Sequence, residues 1–157
     1  MTAEARTSMT VLHHCFVEAL REAVEKMTGF YVCETGKDCG IKSADISGAM
    51  ILSGERNALF VVSVSRKTAL NLISFMVGDD ADHLSEEELS DGISELVNMA
   101  AGIAKIKLLE SDKKFNLSSP FAVTGDNIKI TVKKHIEKYE YAIGCEDVVL
   151  GIGIFYF

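Results

Sequence analysis

Two apolar runs separated by a short turn constrain this chain most strongly, because together they favour an antiparallel β-hairpin. The runs cover residues 46–53 and 58–65, and each contains several large apolar side chains. Residues 54–57, with the sequence GERN, lie between them and favour a turn. The chain is therefore expected to contain a β-sheet.

Three further segments have the periodicity or the capping residues of helices. Ser65 is placed to cap one of them, and Gly78 lies just beyond its end. Ser85 and Glu88 form the S-x-x-E capping box that begins the longest one. The predicted helices cover residues 9–27, 66–77 and 85–110.

Alternating and continuous apolar patterns predict further strands. Apolar and polar side chains alternate over residues 128–133 and again over residues 139–145, which is typical of half-buried strands. Residues 148–157 are apolar on both faces, which suits a strand that is covered or paired, either within the chain or across an interface. A short strand is also predicted near residues 31–33. The fold class is therefore α+β, with helices packed on a largely antiparallel sheet.

The chain is predicted to form a single domain over residues 1–157. Pro120 is the one proline, and no Gly/Ser-rich linker divides the sequence. Residues 48–54 and residues 120–125 each follow a helical region, and each segment ends in glycine at a turn. This similarity between the two segments fits a domain made of two halves of similar build.

Charge and composition exclude several classes of function. The formal net charge of −7 argues against nucleic-acid binding, which needs a basic surface. No apolar run is long enough to cross a bilayer as a helix, and no signal peptide is recognisable, so a cytoplasmic protein without membrane insertion is expected. The four cysteines include no C-x-x-C pair, so reduced thiols and no metal site of the chain's own are expected.

Seven carboxylates lie within residues 79–91 without a lysine or arginine among them. One interpretation is a solvated loop and helix start, where acidic residues favour the helix N-terminus. A second interpretation is a docking surface for a basic partner. A third is a small-ligand or metal-responsive domain, although the stretch lacks the ligand spacing of a calcium loop.

Four residues of the long predicted helix gather on the face opposite the apolar one. Asp91, Glu95, Asn98 and Gly102 are each three or four residues from the next, so their side chains are neighbours. Gly92 and Gly102 need an explanation, because glycine inside a helix costs about 1 kcal/mol relative to alanine. Gly102 leaves room on the exposed face, or it permits close helix packing. The spacing of these residues alone does not assign a function, since Glu and Asn are common on solvent-exposed helix faces.

Residues 91–102 resemble the characteristic helix of the CheC/CheX phosphatase family. That pattern has Asp or Ser, then Glu four positions later, Asn three positions further and a downstream Pro. Here the matching residues are Asp91, Glu95, Asn98 and Pro120, with the last spacing about one residue short. The resemblance extends over most of the chain, including the helix ending near residues 27–29, the strand at residues 47–48, the turn at residue 54 and the helix at residues 68–69.

The resemblance favours the CheX branch, in which one such helix serves each chain and the protein forms homodimers. The nearest equivalent in the first helix is Glu18-Ala19-Leu20-Arg21, and Arg21 cannot supply a carboxamide. The resemblance therefore implies one site per chain.

The resemblance implies a phosphatase acting on the aspartyl phosphate of a CheY-like response-regulator receiver in chemotaxis or related two-component signalling. Asn98 would orient the attacking water, and Glu95 would pair with the receiver's active-site lysine. Asp91 would support docking, and Gly102 would permit close approach. No cofactor of its own is implied, since Mg²⁺ is held by the receiver. The alternative is a non-catalytic receiver-binding module of the same fold.

Overall fold

A seven-stranded antiparallel sheet carries three helices on one face. This computed structural model describes residues 3–37, 44–111 and 114–157. The α-helices are α1 (Ala3–Thr28), α2 (Arg66–Val77) and α3 (Glu86–Lys107), and a short 3₁₀ helix covers Ala81–His83. The strands are β1 (Cys33–Lys37), β2 (Ala44–Gly54), β3 (Ala58–Val64), β4 (Phe115–Leu117), β5 (Phe121–Ile128), β6 (Lys138–Cys145) and β7 (Val148–Tyr156). The predicted α+β class and the single domain are confirmed.

The strand order shows two halves of similar build. The order is β1-β6-β7-β3-β2-β4, and β5 also pairs with β2. The hairpins β2–β3 and β6–β7 meet at the centre through antiparallel pairing of β3 with β7. The strand after α1 joins the second hairpin, and the two strands after α3 join the first. Each half therefore completes the sheet of the other.

The predicted strand over residues 128–133 is wrong. β5 ends at Ile128, just after Asn127 takes a left-handed φ of 54°. Ile130 and Val132 then pack on a second, smaller apolar cluster that includes Val61 and Phe155, without joining a ladder. The alternation of burial is real, but it belongs to an unpaired segment. The sequence also did not predict β4, and β1 begins at the end of the predicted residues 31–33.

β7 lies inside the sheet, between β3 and β6 of the same chain. Its apolar character on both faces is explained by the helices on one side and the smaller cluster on the other. Both of its hydrogen-bonding edges are already used. Pairing of β7 across an interface between chains is therefore ruled out.

The long helix α3 begins and packs as its sequence predicts. The Ser85 hydroxyl accepts from the Glu88 backbone N–H at 3.2 Å, and the Glu88 carboxylate accepts from the Ser85 N–H at 2.7 Å. The helix ends at Lys107, slightly before the predicted residue 110. Its buried face consists of Leu89, Ile93, Leu96, Val97, Ala100, Ala101 and Ala104.

Two glycines bring α3 close to its neighbours. A β-carbon at Gly48 of β2 would lie 2.8 Å from Cγ2 of Val97 and 3.0 Å from Cγ2 of Ile93. A β-carbon at Gly92 would overlap Cδ1 of Ile73 in α2 and lie 2.9 Å from its Cγ1. Side chains at either position would push α3 away from the sheet or from α2.

We predict opposite effects of the same substitution at the two glycines of α3. Gly92→Ala overpacks the fully buried Ile73 and should lower the free energy of unfolding by about 1 kcal/mol net of the gain in helix propensity. Gly102→Ala meets no atom within 4 Å and should raise it by about 0.5–1 kcal/mol. Urea denaturation monitored by circular dichroism measures both. Equal shifts in the midpoint would contradict this account of α3 packing.

Candidate functional site

The exposed ridge of α3 carries the residues that the sequence singled out. The side chains of Asp91, Glu95 and Asn98 are exposed, and Gly102 is partly exposed. Leu96, between them in sequence, is fully buried on the opposite side. The structure therefore places all four predicted residues together on one solvent-facing surface, here called the ridge.

The two central side chains of the ridge are available to a partner. Among the described residues, no hydrogen bond or ion pair involves the side chain of Glu95 or Asn98. Their positions are nevertheless fixed, because the backbone beneath them belongs to a capped helix with a fully buried apolar face. A carboxylate and a carboxamide one turn apart on a rigid element can contact the same partner group without reorganising the fold.

Gly102 leaves the ridge open one turn beyond Asn98. A β-carbon at this position would meet no atom within 4 Å, so packing inside the chain does not require glycine here. This is the reverse of Gly92, where α2 occupies the space. The gap is therefore available to an approaching molecule.

The acidic stretch over residues 79–91 divides into two groups. Some carboxylates stabilise the local structure: Glu86 pairs with Arg66, and Asp79 accepts from the Asp80 backbone N–H at 2.8 Å. That bond, helped by His83, lowers the pKa of Asp79, and the Ser85 backbone N–H lowers the pKa of Glu88. Asp91 has no such role and belongs to the ridge.

A shallow groove lies directly beside the ridge, and sequence reasoning missed it. It is formed where the ends of α1 and α2 meet the first half of α3. Its lining residues are Met27, Met76, Val77, Glu88, Asp91, Gly92 and Glu95. In the sequence, the two apolar residues at the end of α2, Met76 and Val77, were the one indication of this groove. Val77 is 55% exposed.

Two exposed apolar side chains that were not predicted lie beyond the ridge. Ile106 lies four residues beyond Gly102 and is 69% exposed, and Leu109 is 67% exposed. Burying a large aliphatic side chain usually stabilises a protein by about 1.5–3 kcal/mol, and these two exposed side chains do not make that contribution. The exposed surface therefore changes from acidic through polar to apolar along α3 and the turn that follows it.

Neither a metal site nor a membrane-spanning element is found in the part of the chain that the structure describes. Across residues 3–37, 44–111 and 114–157, no three His, Cys, Asp or Glu side chains come together in a way that could hold a metal ion. None of the helices within those residues has both the length and the apolar character that crossing a membrane requires. The cysteines Cys15, Cys33 and Cys145 are free thiols, and Cys39 lies outside the described residues.

The chain is similar to proteins of known structure over nearly its whole length. It aligns with the chemotaxis protein CheX from Vibrio vulnificus with a TM-score of 0.83 and 22% identity, covering 93% of this chain and 96% of that one. It aligns with the CheX-CheY-BeF₃-Mg²⁺ complex from Borrelia burgdorferi with a TM-score of 0.76 and 19% identity, covering 91% and 96%. At these identities the likeness establishes the fold.

Sequence comparison identifies the family. A Thermotoga maritima protein named CheY-P phosphatase CheX is 29% identical over 101 residues, which span 62% of this chain and 65% of that relative. The family model described as chemotaxis phosphatase CheX matches residues 46–144, which include all of α3 and the ridge. That match covers more than half of the 157 residues. The chain therefore belongs to the chemotaxis phosphatase CheX family.

Proposed function

We propose that this protein hydrolyses the aspartyl phosphate of a CheY-like response-regulator receiver. The observation that carries the proposal is the exposed pair Glu95 and Asn98, one turn apart on a rigid helix. Membership of the CheX family supports the reaction class, and the fold shared with a CheX solved together with CheY supports the partner class. The substrate is then a phosphorylated protein whose acyl phosphate is attacked by water.

Asn98 has the chemistry needed to position that water. Phosphoryl transfer depends mostly on alignment of the nucleophile and on electrostatic stabilisation. A carboxamide both accepts and donates hydrogen bonds, so it can hold water in line with phosphorus without acting as a nucleophile itself. The side chain is exposed and makes no bond within the described residues, so it is free to take this role.

Glu95 is better suited to docking than to proton transfer. A carboxylate close to a phosphoryl group suffers like-charge repulsion, which disfavours it as a base beside the attacking water. Paired with the receiver's active-site lysine, the same carboxylate makes a charge-assisted hydrogen bond that sets the register of the two proteins. Because Asn98 lies one turn away, this register places its carboxamide at the phosphoryl group.

The other two residues of the ridge would assist docking of the receiver. Asp91 contributes negative charge to docking, and Gly102 allows the receiver backbone to approach α3 closely. The protein supplies no cofactor of its own, and Mg²⁺ is held by the receiver. We further propose a cytoplasmic homodimer, as expected for the CheX branch, with a dimer surface that does not use the internal strand β7.

Replacing the carboxamide should abolish turnover while sparing docking. For Asn98→Ala we expect a loss of about 100-fold in the rate of receiver dephosphorylation, because the water loses its alignment. Affinity for the receiver carrying beryllofluoride, a stable analogue of the phosphoryl group, should stay within about twofold of wild type. Phosphate release from radiolabelled receiver and calorimetry measure the two quantities.

Asn116→Ala is the matched control, since Asn116 is also exposed but lies on β4. It should leave both quantities unchanged. If Asn98→Ala leaves dephosphorylation as fast as this control does, the assignment of Asn98 is wrong. Wild-type protein that binds the receiver without accelerating its dephosphorylation would instead identify a non-catalytic binding module.

Replacing the carboxylate should weaken docking. For Glu95→Gln we expect KM for the phosphorylated receiver to rise by about tenfold, because the ion pair with the lysine is lost. The same substitution at Glu87, an exposed residue in the first turn of α3, is the control and should change KM little. Steady-state kinetics at several salt concentrations should show a weaker salt dependence for Glu95→Gln than for the control. Identical kinetics for both variants would contradict the pairing.

A further inference from the structure

The apolar floor of the groove beside the ridge has no role in the chemistry proposed above. We propose that it is a second docking point for the receiver, which receives an apolar side chain lying next to a lysine or arginine on the receiver surface. This inference rests on the proposed function and deepens it, because the groove would decide which receivers the enzyme accepts. The groove's apolar floor, its acidic edge and its continuity with Glu95 support this role.

The floor of the groove is apolar and exposed to solvent. Met27 at the end of α1 and Met76 at the end of α2 are half-buried, and Val77 is 55% exposed. Next to them Phe75 is 61% exposed and packs edge-on against Phe30, with ring centroids 4.8 Å apart. Adjacent exposed apolar side chains of this kind mark an interaction site more often than isolated ones do.

Methionine is well suited to a floor that must accept more than one shape. Its unbranched thioether has three rotatable bonds and adapts to different apolar partners. Two of the three apolar lining residues are methionine. The floor can therefore receive a leucine, isoleucine or phenylalanine side chain without requiring a single geometry.

The opposite edge of the groove is acidic. Glu88, Asp91 and Glu95 line it from α3, and all three are exposed. Their distance from the floor is set by Gly92, whose missing β-carbon lets α3 pack against Ile73 of α2. The carboxylates are thereby held beside the apolar floor.

Charge selects the kind of partner that fits this groove. No lysine or arginine occurs within residues 79–91, and none lines the groove. An apolar side chain flanked by a basic one satisfies both surfaces at once, whereas an acidic segment would be repelled. A second copy of this chain is disfavoured, because a two-fold contact through this patch would place the same carboxylates against each other.

Continuity with the ridge identifies the receiver as the occupant. Glu95 lines the groove and is also the residue proposed to pair with the receiver's active-site lysine. A receiver engaged with Glu95 must therefore cover the adjoining floor, so the occupant is the receiver surface bordering its phosphorylation site. The groove and the ridge then form one interface, in which the groove selects the partner and the ridge aligns the water.

Val77→Asp tests the floor, and Glu88→Gln tests the acidic edge while keeping a side chain that can accept the capping hydrogen bond from Ser85. Both residues are exposed, so both variants should fold, which circular dichroism and the denaturation midpoint would verify. Each should raise KM for the phosphorylated receiver, and Kd for the beryllofluoride-loaded receiver, by about tenfold or more, corresponding to about 1.4 kcal/mol. The value of kcat should stay within about twofold, because the alignment of Asn98 is unchanged.

Val123→Asp is the matched control. Val123 is 47% exposed on β5, where it pairs with Ser47 on the sheet face that carries no helices. This variant should keep the wild-type KM and Kd.

The outcomes separate this inference from the proposed function. If wild type dephosphorylates the receiver and both groove variants match Val123→Asp in KM, the groove inference is overturned and the proposed function stands. If wild type is inactive but binds, and the groove variants lose affinity, the groove is supported and the phosphatase proposal fails. If wild type neither binds nor acts on the receiver, both are overturned.

Discussion

The close contact of α3 with β2 at Gly48 is the constraint on which the site depends. With no side chain at this position, Ile93 and Val97 rest directly on the strand, and the apolar face of α3 is fully buried. The helix cannot rotate without exposing that face or overlapping β2. Its other face is therefore fixed toward solvent, and this is the face that carries Glu95 and Asn98. Fold stability and proposed chemistry are thus supplied by opposite sides of one helix.

The crossing of the two halves explains why this helix is held so firmly. The strands that follow α3 pair with the hairpin of the first half, and the strand that follows α1 pairs with the hairpin of the second. The strand just before α3 and the two strands after it therefore all pair with β2, the strand on which α3 packs at Gly48. A positioning mechanism requires such a support, since displacement of an aligning group by about 1 Å can cost about 100-fold in rate. In our proposal the groove adds partner selection at the same surface, where Gly92 lets α2 pack closely against α3.

Local patterns predicted most of the elements and the ridge, and they failed where tertiary contacts decide. The capping box at Ser85 and the periodicity of α3 depend on neighbours three or four residues apart, so they are readable in the sequence. The unpaired segment after Asn127 was misread, because its alternating burial comes from contact with the second apolar cluster and not from a ladder. The groove was missed because its residues come from the ends of three helices that only the fold brings together. The sequence marked Gly92 as an unusual helix residue but could not supply the reason, because the contact that requires glycine is an isoleucine of another helix.

The central claim is that the ridge of α3 faces the phosphorylation site of the receiver, with Glu95 against its active-site lysine. A double-mutant cycle tests this contact directly, using Glu95→Gln in this protein and Lys→Met in the receiver. The quantity measured is the affinity of each pair with beryllofluoride on the receiver. The account predicts that the double variant binds little worse than either single variant, with a coupling energy of about 1.5 kcal/mol or more. Additive losses within about 0.5 kcal/mol would mean that the two groups do not meet, and would contradict the account.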